Sequence, residues 1–578
     1  MRTEAGKRTF HVVLIRPSHY DRDGYVIRWY RNQMPSNSLA TVYAITADAA
    51  RRRVLGPDTD ISITPIDETN TRVRVGKLIA DFRRGGCFGL VGLVGVQSNQ
   101  YPRALDIARP LRVAGIPVAV GGFHVSGMLA MFKHVTPDLQ EALDLGVTLF
   151  AGEAEGRIDE LLRAAATGKM NQIYNFADEL PDLQHAVKPW LPRRLLRRTI
   201  GQVTSFDAGR GCPFKCSFCT IINVQGRKSR SRTADDVECI VRENWAQGIY
   251  SFLITDDNFA RNRDWERIFD RLAELRTTEG IAPRFLIQVD TLCHLIPNFI
   301  EKAKRAGVTR VFIGLENINP ANLLAAKKRQ NKITEYRKML LAWKAVGVLT
   351  FAGYIIGFPH DTSESVRRDI EIIKKELPVD MLEFSILTPL PGSEDHKTLK
   401  DRAVLLDADL NKYDVEQVCA PHPKMSASEW AEAYDAAWKS YYSPAHLETI
   451  MRRARASGAA EYGLMLIMLW FASTTVSIEN VHPMQGGVLR LKHPSERRPG
   501  SPIEPAVRFY PRFVWETVVK QARLWLELSR ILWIAWRVAA DQGRLAYTDQ
   551  AIAPVEEGAE RSQLFAQSRA LPDAAAHA

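Results

Sequence analysis

Three cysteines near the middle of the chain constrain its fold more than any other feature of the sequence. Cys212, Cys216 and Cys219 follow the segment Gly209-Arg210-Gly211 at the spacing C-x3-C-x2-C. A loop this short can turn all three thiolates to one side, where they can bind three irons of a cubane cluster. Iron–sulfur clusters normally have four thiolate ligands. The spacing therefore predicts three metal ligands that leave one iron open to a small molecule.

The other common uses of clustered cysteines fit the sequence less well. A zinc site needs a fourth Cys or His close by, and none occurs in the dozen residues that follow Cys219. Seven cysteines in 578 residues are an odd and sparse set, which disfavours a disulfide framework and indicates a reducing compartment. Residues 1–10 are polar, so we expect no signal peptide and a cytoplasmic location.

The composition is that of a globular protein with a basic surface. Hydrophobic residues make up 46% of the chain, and the formal net charge is +11, with basic residues concentrated at 193–198 and 227–232. Such a charge can serve nucleic acid, an anionic membrane or an anionic substrate. Because no RNA-binding signature accompanies the basic runs, we expect no nucleic-acid partner.

The N-terminal region alternates short apolar runs with helical patterns. The predicted strands are 11–15, 60–66, 90–96, 116–120 and 147–150, and the helical patterns between them are 38–52, 74–84 and 101–114. This alternation predicts βαβ units and hence a doubly wound, Rossmann-like parallel sheet of the α/β class. Ligands of such sheets bind beyond the carboxyl ends of the strands.

Two loops at these strand ends resemble those of the cobalamin-binding domains that precede radical S-adenosylmethionine (SAM) domains. They are Gly121-Gly122-Phe123-His124 and Gly152-Glu153-Ala154-Glu155-Gly156. The resemblance covers about residues 8–165 and implies cobalamin as a cofactor. The cobalamin contacts that it implies are Ser98, Asn99, Gly121, Gly122, His124, Gly152 and Glu153.

The sequence departs from the wider cobalamin-binding family in one motif. Asp-x-His-x-x-Gly, whose histidine binds cobalt, is absent, so cobalamin would bind without a histidine from that motif. We interpret His124 as a hydrogen-bonding residue of its loop rather than as a cobalt ligand. A domain that has kept this fold and lost its cofactor is the alternative. A dinucleotide is disfavoured, because no Gly-x-Gly-x-x-Gly follows the first strand.

A linker rich in proline at 176–200 leads to a second series of strands and helices. Strands are predicted at 203–207, 251–255, 284–289, 310–313, 351–356 and 382–387. Six strand–helix units after one cysteine loop predict a partial (β/α)6 barrel rather than a closed one. Polar residues or glycines follow each strand, at the end where barrel enzymes bind their ligands.

The cysteine spacing and the order of these strand-end residues resemble the radical SAM enzymes, in which SAM occupies the open iron. The resemblance implies that Phe218 meets the adenine through its backbone and that Asp256 and its neighbours meet the SAM amino group or ribose. The full set of implied SAM contacts is Phe218, Asp256, Asp257, Asn258, Gln288, Gly314, Glu316, Gly353, Gly357, Pro389 and Leu390. Each residue alone is ordinary at a strand end; their order after the cysteines carries the resemblance.

The remaining residues predict a helical C-terminal region. The apolar run 462–471 is too short to span a bilayer, which favours a buried helix. Residues 513–540 predict a long amphipathic helix with tryptophans beside basic residues. Such a helix usually packs on its own core, and peripheral contact with the inner face of a membrane is the alternative. The expected domains are 8–175, 201–425 and 426–549, followed by a disordered tail at 550–578.

The combined resemblance predicts a cobalamin-dependent radical SAM enzyme of the class B methylase type. It implies that a [4Fe–4S] cluster cleaves SAM reductively to a 5′-deoxyadenosyl radical. An unactivated carbon of a small molecule or lipid would then be methylated, with a flavodoxin- or ferredoxin-type protein as the electron donor. No catalytic acid or base can be assigned from the sequence.

Three alternatives differ in chemistry. The first is a non-methylating cyclase or oxidoreductase with the same cofactors. The second is a non-catalytic iron–sulfur electron carrier or sensor, for which the SAM-like strand ends would have no purpose. The third, methylthiotransfer, normally needs a second three-cysteine cluster, and the N-terminal domain holds only Cys87.

Overall fold

The apolar runs of the N-terminal region form a parallel sheet in the structure, a computed structural model that describes residues 8–554, 562–564 and 566. The strands of this region are β1 (Arg8–Arg16), β2 (Trp29–Asn32), β3 (Thr59–Asp67), β4 (Gly89–Leu93), β5 (Val118–Gly121), β6 (Thr148–Ala151) and β7 (Ile173–Asn175). All except β2 join one sheet in the order β3-β1-β4-β5-β6-β7, and every neighbouring pair is parallel.

Helices cover both faces of this N-terminal sheet. They are α1 (Asn37–Arg51), α2 (Val75–Arg84), α3 (Tyr101–Val113), α4 (Phe123–Met131), α5 (Pro137–Asp144) and α6 (Ile158–Thr167). Val13 and Ile15 of β1 pack with α2–α5, whereas Val12 and Leu14 pack with α1 and α6. Because both faces are buried, the central strands β4, β5 and β6 are apolar along nearly their whole length. The predicted doubly wound α/β fold is confirmed.

A second parallel sheet follows in the central region. Its strands and the short pair beside it are β8 (Val203–Phe206), β9 (Gly209–Arg210), β10 (Arg230–Ser231), β11 (Ser251–Ile254), β12 (Arg284–Val289), β13 (Val308–Glu316), β14 (Leu349–Ile356) and β15 (Met381–Ile386). The sheet order is β15-β14-β13-β12-β11-β8, while β9 and β10 form a separate antiparallel pair. Since β8 and β15 are both edges, the sheet is open, in agreement with the predicted partial (β/α)6 barrel.

The outer face of the central sheet lies under helices, and its inner face is partly open to solvent. The helices of this region are α7 (Arg193–Leu196), α8 (Ile221–Val224), α9 (Ala234–Ala246), α10 (Trp265–Thr278), α11 (Phe299–Ala306), α12 (Pro320–Ala325), α13 (Ile333–Ala345), α14 (Ser363–Glu376) and α15 (Glu394–Asp401). In β13 the residues Val311, Ile313 and Leu315 are fully buried, whereas their neighbours on the other face are only half-buried. A ligand can therefore reach the inner face.

The C-terminal region packs against the barrel and returns to the N-terminal domain. Its elements are α16 (Ala427–Tyr441), α17 (Pro444–Ala456), α18 (Tyr462–Glu479), β16 (Gly487–Arg490) and α19 (Ala506–Ala540). Strand β16 pairs with β2 in antiparallel fashion, a pairing across most of the chain that no local pattern predicts. Helix α19 begins seven residues before the predicted start, since it continues through Pro511.

Helix α18 corrects one expectation. The apolar run 462–471 alone is too short to span a bilayer, but the Ala, Ser, Thr, Val and Ile residues that follow it extend the helix to Glu479. Of the described residues, this is the one helix that is long and apolar enough to cross a membrane, with a mean hydropathy of 1.3 over 18 residues, 39% of them buried inside the protein.

The predicted disordered tail is described only in part. Residues 555–561, 565 and 567–578 lie outside the described residues. Before them, the carbonyl oxygens of Ala551 and Ala553 accept hydrogen bonds from Arg337 at 3.2 and 2.5 Å. This part of the predicted tail therefore packs on the barrel.

Candidate active site

The three cysteines lie on one loop that leaves the edge strand β8. The β9–β10 pair places residues 209–210 beside residues 230–231. Gly211 has a φ of +91°, and a Cβ there would lie 2.5 Å from the carbonyl oxygen of Lys228. Only glycine fits this position. The loop is thus folded back on itself immediately before Cys212.

The cysteines fit a [4Fe–4S] cluster. All three are free thiols; Cys216 is buried, and the other two are half-buried. Burial raises the pKa of Cys212 to about 11 and that of Cys219 to about 12, so a bound metal would have to displace the thiol protons. Among the described residues, no three His, Cys, Asp or Glu side chains are placed to hold one metal ion. A cubane needs no such group, because each thiolate binds a different iron.

The acidic pair after β11 holds the backbone of the cysteine loop. Asp256 is buried, and its Oδ1 accepts hydrogen bonds from the N–H groups of Ala208 (2.7 Å) and Gly209 (2.8 Å). Asp257 Oδ2 accepts one from the Gly211 N–H at 3.1 Å. Burial raises the pKa of each carboxyl to about 7. Both residues position the loop, and their SAM contact stays a prediction.

Hydrogen bonds link the loop after β11 to the loop after β12. Asn258 Nδ2 donates to Asp290 Oδ2 at 2.9 Å, and Arg261 binds both carboxylate oxygens of Asp290 at 2.7 and 3.0 Å. Gln288 lies in β12, two residues before Asp290, and is half-buried. Its side chain makes no hydrogen bond to another described residue. Asn258 is therefore engaged with the protein, whereas Gln288 keeps its amide free for a ligand.

The end of β13 carries an ion pair that the sequence analysis missed. Glu316 Oε1 accepts a hydrogen bond from Lys328 Nζ, which lies 5.8 Å from the centre of the Phe218 ring. Asn331 Nδ2 donates to the Gly314 carbonyl at 2.9 Å. The structure thus brings three of the predicted SAM contacts together. Lys328 and Asn331 join them from the segment after α12, which has no recognisable motif.

The glycines of β14 serve packing within the protein. Gly357 has a φ of +107°, and a Cβ there would lie 1.9 Å from the indole ring of Trp430, which also donates to the Ile356 carbonyl at 2.9 Å. A Cβ on Gly353 would lie 3.1 Å from the Phe312 ring. Gly357 is therefore required for α16 to approach the strand end, and only Gly353 lies on the inner face.

The loop after β15 touches the N-terminal domain. Pro389 is buried and Leu390 half-buried in this loop. Further along, a Cβ on Gly127 of α4 would lie 2.8 Å from the Cα of Gly392. Helix α4 of the N-terminal domain and the loop after β15 therefore meet backbone to backbone.

Glu383 lies on the inner face of the central sheet. Its neighbour Phe384 packs outward on Trp438 of α16, with ring centres 5.3 Å apart, so Glu383 points to the opposite face. The residues paired beside it, Gly353 and then Gly314, have no side chains. Glu383 Oε1 is buried and has no hydrogen-bond partner among the described residues. Burial raises the pKa of this carboxyl to about 8.

The variant Glu383→Gln is expected to be stabilised more at pH 8 than at pH 5. The folded chain holds the Glu383 proton up to about pH 8, whereas the unfolded chain releases it near the ordinary value of 4.5. Stability therefore falls as the pH rises between these values, by a few kcal/mol (~4) if the carboxyl stays buried. Melting temperatures at the two pH values measure the difference. Glu364→Gln, at an exposed position of α14, is the control. An equal shift at both pH values would contradict the assignment.

His124 is fully engaged within the N-terminal domain. Its Nδ1 lies 3.1 Å from Ser98 Oγ and its Nε2 2.8 Å from Asp138 Oδ2. Burial alone would raise the pKa of Asp138, but the hydrogen bond from His124 lowers it to about 2. No ring nitrogen remains for cobalt. Asn99 is buried nearby, and its amide makes no hydrogen bond to another described residue, so it fits a polar group of a ligand.

The predicted strand-end glycines of this domain allow backbone segments to approach. A Cβ on Gly122 would lie 2.1 Å from the Val96 nitrogen, and one on Gly152 would lie 2.7 Å from the Phe176 carbonyl. Gly121 is similarly close to the neighbouring strand. The close approach that these glycines permit is therefore to the protein itself, and their cobalamin contact stays a prediction.

A buried charge cluster joins the N-terminal domain to the cysteine loop. Arg210 donates to Glu153 at 2.5 Å and to Glu155 at 2.7 Å, and its Nε lies 3.2 Å from Asp207 Oδ2. Arg230 also binds Glu153. All of these side chains are at most 16% exposed. Glu153 binds the arginine that stands two residues before Cys212, and its cobalamin contact stays a prediction.

Comparisons with known proteins agree with this geometry. Residues 208–373 match the family model of the radical SAM superfamily. The bacteriochlorophyllide d C-12(1)-methyltransferase of Chlorobaculum tepidum is 27% identical over 352 residues, which are 59% of this chain and 72% of that protein. The hopanoid C-2 methylase of Rhodopseudomonas palustris is 24% identical over 335 residues, which are 56% of this chain and 59% of that protein.

Solved structures share the fold. The radical SAM methyltransferase TsrM from Kitasatospora setae, solved with cobalamin and a [4Fe–4S] cluster bound, superimposes with a TM-score of 0.58 at 15% identity. The match covers 80% of this chain and 98% of TsrM.

A cysteine loop on an open parallel barrel, with a doubly wound domain against its strand ends, is the arrangement that the sequence analysis expects of a radical SAM enzyme. The match to the radical SAM superfamily lies in residues 208–373, the stretch that holds the cysteine loop. The relatives that it resembles are named as methyltransferases and methylases.

Proposed function

We propose that the protein methylates an unactivated carbon of a small-molecule or lipid substrate, using a [4Fe–4S] cluster, SAM and cobalamin. The observation that carries this proposal is the place of the cysteine loop. It leaves the barrel at the end where the strands of both sheets stop, and the Arg210 cluster joins it directly to the N-terminal domain.

The chain's own residues would prepare this site in distinct ways. Cys212, Cys216 and Cys219 would hold the cluster, whose role when bound is to supply the electron that cleaves SAM, while cobalamin carries the methyl group. Asp256 and Asp257 fix the loop backbone. The inner face of the barrel would hold SAM near Gln288 and the Glu316–Lys328 pair.

Three groups are proposed as ligand contacts. Two are amides that make no hydrogen bond to another described residue, and the third is an ion pair beside Phe218. Gln288 has an unengaged amide on the inner face. The Glu316–Lys328 pair presents both charges beside Phe218. Asn99 offers an unengaged amide at the strand ends of the N-terminal sheet, where cobalamin is proposed to lie.

The substrate class and the electron donor belong to the same proposal. The names of the relatives include pigment and hopanoid methylases, which supports an apolar substrate. A cytoplasmic flavodoxin- or ferredoxin-type protein is proposed as the donor. A lipid substrate would be taken up at the inner face of the membrane, so a peripheral position there is part of the proposal.

The test is the fate of the two halves of SAM. Anaerobically reconstituted protein, purified with added cobalamin, is expected to show corrinoid absorbance and to release 5′-deoxyadenosine from SAM under a chemical reductant. With SAM labelled in its methyl group, the label is expected in an apolar product when a cell extract supplies substrate. Cleavage without label transfer would indicate a non-methylating enzyme. No cleavage by protein with a full cluster would overturn the proposal.

A further inference from the structure

Helix α19 is apolar on two opposite faces, and only one of them is covered. Phe509, Ile531, Ile534 and Val538 are buried against the rest of the protein. At roughly 100° per residue, these positions fall on one side of the helix. This buried side is sufficient to attach α19 to the protein, so the apolar residues on the opposite side need another explanation.

The uncovered face is rich in tryptophan. Trp515, Trp525, Trp533 and Trp536 are 55–70% exposed, together with Val514 and Leu526. At roughly 100° per residue, these six positions span about a third of the helix circumference, directly opposite the buried side. The helix has 35 residues and is therefore about 50 Å long. An exposed apolar stripe of this length is unusual for a surface that faces only water.

The charge beside this stripe is positive. Arg508, Arg512, Arg523 and Arg537 are exposed and lie along one flank of the tryptophans. The helix carries six Lys and Arg against two Glu, and Arg537 lies over the Trp533 ring at 4.8 Å. Tryptophans bordered by arginines match the boundary between lipid acyl chains and anionic headgroups.

The apolar surface continues beyond the helix. Val488 and Leu489 of β16 are 41% and 36% exposed. They line a cavity of about 170 Å³ between α18, β16 and α19, together with Trp470 and Trp525. Trp525 belongs both to this cavity and to the tryptophan face, so the two apolar surfaces are continuous.

We infer that the tryptophan face of α19 binds the surface of an anionic lipid bilayer, with the helix lying in the plane of the interface. The arginines attract the anionic headgroups, and the tryptophans enter the acyl boundary. The inference deepens the proposed function and rests on it in one respect: a docked enzyme would take its apolar substrate from the bilayer. The docking surface itself does not depend on the reaction.

Vesicle flotation of the full chain with its cluster tests the inference. The protein is expected to float with vesicles of phosphatidylcholine and phosphatidylglycerol, and less with vesicles of phosphatidylcholine alone. The variant Trp515→Gln/Trp525→Gln/Trp533→Gln is expected to lose at least about tenfold in vesicle binding, since it removes most of the inserted apolar area. The matched control Val113→Gln/Tyr250→Gln/Leu405→Gln changes exposed apolar residues elsewhere and is expected to bind as the wild type does.

Circular dichroism shows whether each variant keeps its helices, and Arg508→Gln/Arg523→Gln gives a second test through reduced preference for anionic vesicles. Wild-type protein that does not float, or a tryptophan variant that floats equally, would overturn the inference. A wild-type dimer that the tryptophan variant loses, without flotation, would assign the face to a second copy and overturn it as well. SAM cleavage by the wild type is measured without vesicles, so failure of the reaction and failure of docking are distinguished.

Discussion

Replacing Cys216 with alanine is expected to abolish cluster binding and to reduce SAM cleavage to background. Cys216 is the buried member of the three cysteines, and Gln330 Nε2 donates to its sulfur at 3.4 Å. With only three thiolates available, the loss of one leaves two irons without protein ligands. Iron and sulfide content after anaerobic reconstitution, and 5′-deoxyadenosine formed from SAM, measure the effect.

The control for this variant is Cys239→Ala. Cys239 lies on α9, where its thiol donates to Glu243 at 3.4 Å, and it is not part of the cysteine loop. This variant is expected to bind iron and cleave SAM as the wild type does. If Cys216→Ala keeps the full iron content and activity, the ligand assignment is wrong.

Much of the fold could be predicted from local patterns. The strands of both sheets are buried on at least one face, so their apolar runs are visible in the sequence, and the helices between them identify parallel connections. The pairing of β2 with β16 could not be predicted, because two strands of four residues each, separated by most of the chain, carry no local signal. The exposed face of α19 appeared in the sequence as an amphipathic pattern, and only the structure shows which side is covered.

The candidate site was predictable in its elements and less so in its contacts. The cysteine spacing identifies the loop because the chemistry of the cluster demands it. Position alone predicts strand-end residues such as Asp256 and Glu153 as ligand contacts, and the structure adds that their oxygens bind protein groups. A carboxylate at a strand end has the same sequence signature whether it meets a cofactor or a neighbouring loop. Only tertiary contacts distinguish the two.

Arg210→Met is expected to destabilise the protein by about 3–5 kcal/mol. Three buried carboxylates surround Arg210. Burial alone would raise the pKa of Asp207, but Arg210 and Arg232 lower it to about 2. Without Arg210, Asp207 and Glu153 each keep another arginine, whereas Glu155 loses its only ion-pair partner among the described residues. An uncompensated buried charge is the costly outcome.

The midpoint of thermal unfolding of the full chain measures the effect on stability. The rate at which the iron–sulfur cluster loses iron is measured as well, because Arg210 lies at the start of the cysteine loop. Arg242→Met is the matched control: Arg242 also binds two carboxylates, but at the surface, and its loss is expected to change the midpoint little.

The double variant Arg210→Met/Glu155→Gln removes the uncompensated charge of Glu155 as well and is expected to recover part of the lost stability. If Arg210→Met unfolds at the same temperature as Arg242→Met, or if Glu155→Gln recovers no stability, the Arg210 charge cluster does not stabilise the protein through its ion pair with Glu155. If the double variant recovers stability but still loses iron faster than the wild type, the two roles of Arg210 are separate. The Glu155→Gln substitution restores the balance of charge, whereas only Arg210 itself belongs to the cysteine loop.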